Sequence, residues 1–577
     1  MNNVRFLAII ASLATMAACT SDDDILNTYT DSFTSYGSSA VTGKLSTFDV
    51  AVDKTTSEPA SAAEEYIPEE EDALENNEFT TEVSIDMSAP ADKTENGVQI
   101  SVTDGHVVTD HGTTKKVCYV VSGTTANGSL TILGEKKYAV KLNGVNITNP
   151  DSAALNLLSS KRAFVILADG KANTLTDGTS SQNDHKGALY CKGKLLFNGS
   201  GALAVYGNYN NGIHSADYIV LRNGNNIYVK STANHGVKAN DGVFINGGIL
   251  NVEVSAAAAK GINCESDIIV NGGRTTVLTT GGGAYDTEEY EAKGSAGIKS
   301  DGALTVNGGE LWLKSTGSGG KGISVDTEAC FNGGSVYIVT TGGQYRSNND
   351  TASPKGVKTD GNITVTGGRI WVRTGGTNGE GIETKAELGI TGGEVASYAY
   401  DDAINSTGNT TVSGGCVYAH GRNNDGMDAN GNCYIKGGIV YAVCSGQPEV
   451  AIDANTEGGY RLYVTGGTLV AVGGLESGSQ LTQACYQASS WSANTWYGMT
   501  DGATVFSFQT PSGGGSGLVV SCASQPTLQS GISYSGGTSL FGGIGITDGS
   551  FSGGTAVSLS SYTGGNNNMG HNQMHRP

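Results

Sequence analysis

Along most of the chain, apolar and polar positions alternate in short runs. Leu311 and Leu313, Val336 and Ile338, Ile370 and Val372, and Val440 and Ala442 each bracket one outward-facing residue. A period of two over about five residues predicts half-buried strands, not helices. Each run follows a Gly-Gly pair, and the pairs fall at 247–248, 272–273, 308–309, 333–334, 367–368, 392–393, 414–415, 437–438 and 466–467. The steps between them are 25, 36, 25, 34, 25, 22, 23 and 29 residues, so a unit of 22–25 residues recurs with extra length in three steps. After Gly-Gly comes a strand such as Glu310-Leu311-Trp312-Leu313, then a loop, then a segment such as Gly322-Ile323-Ser324. A third strand, such as Leu304-Thr305-Val306, leads into the next pair.

Three short strands per repeat cannot bury a face alone, but stacked as coils they enclose one continuous core. The predicted fold is all-β: a parallel β-helix of three strands per coil over residues 83–472, with fainter coils at 138–142, 153–157 and 188–190. A propeller requires four strands and a longer repeat per blade. After Val472 the rhythm stops, and alternating segments at 504–508 and 517–520 predict a small β-rich cap, residues 473–563, closing the open edge of the solenoid. Residues 564–577 read as a disordered tail.

Composition agrees with this picture. Gly is 86 of 577 residues, Pro only 9, and charged residues 15%, which excludes a helical bundle, while 38% hydrophobic residues exclude a disordered chain. The net charge of -21 is uneven: residues 19–95 hold 19 acidic side chains against Lys44, Lys54 and Lys93. Without a basic stripe, nucleic acid is not an expected partner.

Residues 1–18 carry Arg5, an apolar run and a small-residue end, the pattern of a secretory signal. Met16-Ala17-Ala18-Cys19 resembles the lipobox of bacterial lipoproteins, which implies that Cys19 is acylated; the other reading is an ordinary cleaved signal with a chance Cys. Thr20-Ser21-Asp22-Asp23-Asp24 resembles the export signal of some surface lipoproteins, implying an outer-membrane, outward-facing location with contact to the membrane through lipid only. Residues 19–82, with Glu69-Glu70-Glu71-Asp72, predict an acidic flexible tether. The nine remaining cysteines form no dense framework and are expected as buried thiols without a metal.

The segments at 141–148, 173–178 and 208–213, the Asn-Gly-Gly and Thr-Gly-Gly repeats, and Asn424-Asp425-Gly426-Met427-Asp428-Ala429-Asn430-Gly431 resemble a family of secreted carbohydrate-binding β-helix proteins. That resemblance spans roughly residues 83–540. It implies a right-handed helix akin to pectate lyases, binding of acidic plant polysaccharide and cellulose, and calcium.

Alternation also assigns the faces. In the strand after Gly-Gly the third position points outward, placing Trp312, Tyr337 and Trp371 in one aromatic strip; exposed rings would stack on sugars, and covered ones would be a structural ladder. After Gly-Ile the outward column reads His214, Lys238, Asn263, Lys299, Ser324, Lys358, Glu383, Asn405, Asp428 and Asp453. Lys299 and Lys358 join the aromatic strip as candidate carbohydrate contacts. Glu383, Asp402, Asn405, Asp425, Asp428 and Asp453 are candidate calcium ligands, because calcium takes six to eight oxygens and stacked carboxylates repel without a cation; the alternative is that they hydrogen-bond turns. Inserts at 279–296 and 340–354 could wall a groove for a linear polymer or merely decorate the surface.

The functional expectation is a cell-surface polysaccharide-binding lipoprotein that contains calcium and does not cleave its ligand. A pectate-type lyase, needing calcium and a Lys or Arg base, is the enzymatic alternative, with no catalytic residue assigned; an adhesin or fimbria-associated stalk is the structural one.

Overall fold

In a computed structural model of the chain, residues 63–446, 449–513 and 517–564 are described; Cys19, the signal segment, the first part of the expected tether and almost all of the tail lie outside them. The described residues fall into two compact units, 63–358 and 359–564. Both are β-solenoids. Among the described residues, the helical elements are two single turns of 3-10 helix, Glu70–Asp72 and Leu74–Asn76.

In the first unit three faces run along the coils. The first stacks the strands after Gly-Gly, from Ala172–Asp177 through Asn226–Ser231 and Arg274–Thr279 to Ser335–Thr340, all parallel and in register. The second stacks the strands that lead into Gly-Gly, from Ala163–Leu167 to Ala329–Phe331. The third stacks the Gly-Ile strands, from Gly187–Cys191 through Lys260–Cys264 to Lys321–Val325. Alternate side chains, among them Leu311, Leu313, Ile323 and Val306, point inward and have no exposure. At the start of this unit, Lys93–Glu95, Val98–Thr103 and His106–Asp110 form an antiparallel meander.

Why Gly-Gly recurs is visible at the corners. The second glycine is left-handed, with φ of 80° at Gly248 and 70° at Gly273. A Cβ on Gly273 would stand 2.5 Å from the Gly248 carbonyl oxygen one coil earlier, so neither handedness nor space admits another residue. The preceding Asn has its own purpose. Asn271, Asn307 and Asn332 each donate through Nδ2 to the amide oxygen of the previous coil's Asn at 2.9 Å, forming a ladder that begins at Asn246.

The second unit repeats the plan. Arg369–Thr374, Glu394–Ala399, Cys416–Gly421, Ile439–Cys444 and Thr468–Val472 stack in parallel register. The edge strand Thr468–Val472 is then met antiparallel by Leu518–Ser521, which pairs with Cys485–Ala488, and that strand with Leu559–Tyr562. These strands continue the sheet antiparallel beyond its last parallel strand. A further antiparallel sheet, built around Trp496–Thr500 and Val505–Gln509, takes a different role described below.

Two sequence expectations are corrected. The acidic tether does not extend to residue 82: residues 63–79 pack on the coils of the first unit, where their carboxylates meet the half-buried cations Arg162, Lys194 and Arg222. The nine cysteines outside the signal region are all free, but Cys330 and Cys416 are only half-buried.

Candidate functional site

The outer surface of each face decides where a ligand can sit. On the second face of the first unit, the outward positions Phe164, Leu196, Val220 and Phe244 form an apolar stripe. Left bare, such a stripe would invite association. It is covered by Leu74 and Phe79, while the Tyr66 ring lies 5.0 Å from Phe244. Charges fix the cover in place. Asp72, with no exposure, accepts from Arg162 Nε at 2.7 Å and from the Tyr218 hydroxyl. Arg162 and Lys194 both pair with Glu69, and Arg222 makes forked contacts to Glu65 and Glu75. The Tyr66 backbone N–H and C=O engage the side chain of Asn246, ending the asparagine ladder. Over these coils the face is closed, whereas Ile269, Thr305 and Cys330 further along it are half-exposed.

The first face carries the expected aromatic strip. Trp312 and Tyr337 do lie directly across from one another, in edge-to-face contact with centroids 5.4 Å apart. They are nevertheless buried, at 8% and 7% exposure, with the Arg274 guanidinium 5.6 Å from the Trp312 ring and the indole N–H donating to Glu310. In the second unit Trp371 is 4% exposed and donates to Glu394 Oε1 at 2.8 Å. Register continues that column as Ala396, Tyr418 and Tyr441, and here the cover is clear. Phe541 packs on Tyr418 and Phe508 on Tyr441, the Tyr441 hydroxyl donates to the Gln509 carbonyl at 2.9 Å, and the Phe541 N–H donates to Glu394. The C-terminal sheet thus folds over the side of its own coils. Buried rings cannot stack on a sugar, so Trp312, Tyr337 and Trp371 are corrected to a structural ladder.

The third face of the first unit is open in part, with His214 and Ser324 of its outward column buried. Its outward column is Tyr190, His214, Lys238, Asn263, Lys299 and Ser324, in unbroken register. Tyr190, Lys238, Asn263 and Lys299 are half-exposed, and the acidic residues beside them, Glu265, Asp301 and Asp326, are exposed. Lys299 holds Asp301 and Asp326, each at 2.6 Å, and Lys238 holds Glu265 at 2.8 Å. Lys358 belongs to the next Gly-Val strand, at the end of this unit.

Sequence reasoning missed the most perturbed cation on this face. Lys260 Nζ donates to the Ala258 carbonyl at 2.7 Å and to that of Gly294. Burial, then the ammonium groups of Lys321, Lys299 and Lys293, push its pKa down to about 7. The same field acts on His235, whose Nδ1 accepts from the Lys260 N–H: burial, then Lys260 and Lys238, push it down to about 3. A signal was present, since Lys-Gly recurs at 186, 260, 321 and 355, one position before each Gly-Ile-type strand.

The two inserts stand beside this face. Each is a hairpin, Ala284–Asp286 with Glu291–Lys293 and Tyr345–Ser347 with Asp350–Ala352. They do not flank a groove as expected. The Ala292 N–H donates to Asp350 Oδ2 at 2.7 Å, and a Cβ on Gly283 would strike the Tyr345 ring, so the hairpins pack together as one wall.

In the second unit the carboxylates stack as the sequence suggests. Glu383, Asn405 and Asp428 are in register, and Asp453 follows beside the Met427–Ile452 bridge. Asp402 and Asp425 form an adjacent buried column, where Asp402 Oδ1 accepts the Asp425 N–H at 3.0 Å and Asp425 Oδ1 the Val450 N–H at 2.8 Å. Burial, then Asp428 and Glu380, push Asp402 well above the usual carboxylate range. Burial, then Asp402 and Asp453, do the same to Asp425. Burial, then Glu380, brings Asp428 to about 6; burial, then the hydrogen-bonded Glu476, brings Asp453 to about 9. Glu383 is paired with Lys385. Among the described residues, no three His, Cys, Asp or Glu side chains converge as metal ligands. The donor set suits calcium in its chemistry, but only with Asn405 and backbone carbonyls completing the oxygens.

Parts of the chain are similar to known proteins. A carbohydrate-binding domain-containing protein of Acetivibrio thermocellus is 35% identical over 120 residues, 19% of this chain and 42% of the relative's length. A solved polysaccharide lyase-like protein from C. thermocellum, a gadolinium derivative, is 22% identical, covering 49% of this chain and 96% of its own at a TM-score of 0.32. Over residues 103–258 and 315–395 the chain matches the model of the carbohydrate-binding domain-containing protein family.

Proposed function

We propose that this protein binds an acidic polysaccharide along the open third face of the first unit, without cleaving it. The observation that carries the reading is the outward column from Tyr190 to Ser324, the open face beside an apolar stripe closed by residues 63–79 and a buried aromatic strip. A polymer laid along the coils runs past side chains spaced about 4.8 Å apart, of which Tyr190, Lys238, Asn263 and Lys299 are half-exposed. Lys238 and Lys299, which share their charge with Glu265, Asp301 and Asp326, offer ammonium donors to uronate carboxylates, and Lys260 beside them is held near neutrality by its burial first and by the neighbouring lysines second. The match to a carbohydrate-binding family supports the class of ligand.

Two further parts belong to the proposal. Calcium offsets the stacked charge of Glu383, Asp402, Asp425, Asp428 and Asp453 with Asn405, as a structural ion in the second unit. Lipid on Cys19 anchors the protein to the outer membrane, facing outward; Cys19→Ala should then shift it to the soluble fraction.

A glycan array with and without chelator tests the binding reading. Retention of polyuronates, with no ultraviolet-absorbing unsaturated product on incubation, is the expected result. Binding to no polysaccharide would favour an adhesin or stalk, and steady unsaturated product would favour a lyase.

A further inference from the structure

The loop that opens the third face holds a relay the glycan reading does not use. Asp177 ends the strand Ala172–Asp177 and is 2% exposed. Its Oδ2 lies 2.8 Å from His185 Nε2, and its Oδ1 accepts the Asn208 N–H. The imidazole is 6% exposed, with the Tyr209 ring packed on it at 4.7 Å. Its other nitrogen, Nδ1, lies 2.8 Å from the hydroxyl of Ser181, which is half-exposed between the exposed Ser180 and Gln182. A carboxylate orienting an imidazole, and the imidazole facing a hydroxyl within reach of solvent, is the arrangement that activates a serine. In the tautomer whose Nε2–H donates to Asp177, Nδ1 is free to receive the hydroxyl proton of Ser181, for which Asn183 Oδ1 at 3.3 Å is the competing acceptor.

A loop staple would explain part of this, since Ser181 Oγ also accepts the N–H groups of Asn183 at 3.3 Å and His185 at 3.1 Å. Asp177 also ties this loop to the next coil through the Asn208 N–H on Oδ1, which leaves Oδ2 to orient the imidazole. The same two N–H groups, converging with Asp184 held at a φ of 49°, favour negative charge on the oxygen as its proton leaves.

The geometry points to Ser181, His185 and Asp177 as an ester-hydrolysing site acting on O-acyl groups of the bound polymer. Ser181 Oγ attacks the ester carbonyl carbon while His185 Nδ1 takes its proton. The tetrahedral intermediate collapses, the C–O bond to the sugar oxygen breaks, and His185 returns the proton to that oxygen. Water then attacks the acyl-serine, giving its proton through His185 to Ser181 Oγ as the carboxylic acid departs. Water is the co-reactant, and no redox change occurs. The choice of a sugar ester rests on the polysaccharide reading; hydrolysis itself does not.

The full chain is incubated with p-nitrophenyl acetate, with a fluorophosphonate probe, and with O-acetylated polygalacturonate. Turnover of the small ester should fall by roughly 10³-fold or more in Ser181→Ala, and the probe should add its mass to the Ser181 peptide of the wild type, which a purely structural serine would not show even if the variant folds poorly. An unlabelled Ser181, or equal turnover by wild type and Ser181→Ala, overturns the site. Hydrolysis of the small ester with no acetate released from the polymer overturns the sugar-ester assignment alone.

Discussion

Arg162 donates through Nε to Asp72 at 2.7 Å, joining residues 90 positions apart in the sequence. Asp72 has no exposure and Arg162 little, so the pair is withdrawn from water and neither charge has a cheap alternative. Removing one partner of a buried pair costs about 3–5 kcal/mol, because the other stays desolvated. Asp72→Ala should therefore loosen residues 63–79, lowering the melting temperature and speeding limited proteolysis in that stretch. Glu71→Ala, which removes an exposed carboxylate on the same Arg162, should cost about 1 kcal/mol or less.

The aromatic column should matter to folding and not to ligand. Trp312→Ala removes a buried ring and should cost about 3–5 kcal/mol, read as a shift in the denaturant midpoint. At a temperature where the variant is folded, its affinity for polyuronate should equal that of the wild type. A selective loss of affinity would mean that the ring contacts sugar.

The acidic columns of the second unit set a pH dependence whose sign follows from their shifts. Asp428 and Asp453 are raised from 3.8 to about 6 and about 9, so the folded state holds protons that the unfolded state has released. Their stabilising contribution is complete below about pH 4 and is lost as pH rises through 6 and then 9. In chelator, the melting temperature of the second unit should fall across that range. Calcium should flatten the fall, since a ligand of the folded state stabilises it by mass action, and Asp425→Ala with Asp428→Ala should remove the calcium effect. Melting curves identical with calcium and with chelator would contradict the bound cation.

Lys260 sets the pH dependence of binding. Its free-state pKa of about 7 means that it is only partly charged at neutrality. A polyanion beside it would favour the ammonium, so binding should take up a proton and weaken as pH rises from 6 to 8.5. Titrations in buffers of different ionisation enthalpy would measure that uptake, and Lys260→Met should abolish it.

The solenoid was legible because its cause is periodic. Second glycines such as Gly273 must be left-handed, the asparagines before them must reach the previous coil, and one inward apolar position recurs at each strand. What covers the coils was not legible, because cover is a contact between distant residues with no period of its own. Trp312 reads outward by alternation and is outward, yet it is buried; nothing along the chain announces that Phe541 lies over Tyr418, or that Glu69 reaches Lys194. An acidic run looks the same solvated or paired. The carboxylate stacking of Asp428 under the preceding coil was legible through the repeat, whereas Lys260 was passed over because it precedes the glycine and the column was read after it.

Equilibrium titration of a polyuronate against the full chain, for the wild type and for Lys260→Met with Lys299→Ala, tests the central claim most directly. Lys299 lies in the outward column of the third face, and Lys260 opens the neighbouring strand with its ammonium held by the Ala258 and Gly294 carbonyls. The account predicts saturable binding by the wild type that weakens with added salt and falls at least tenfold in the double variant, with unchanged strand content. Absence of binding by the wild type, or equal affinity in the two proteins, would contradict it.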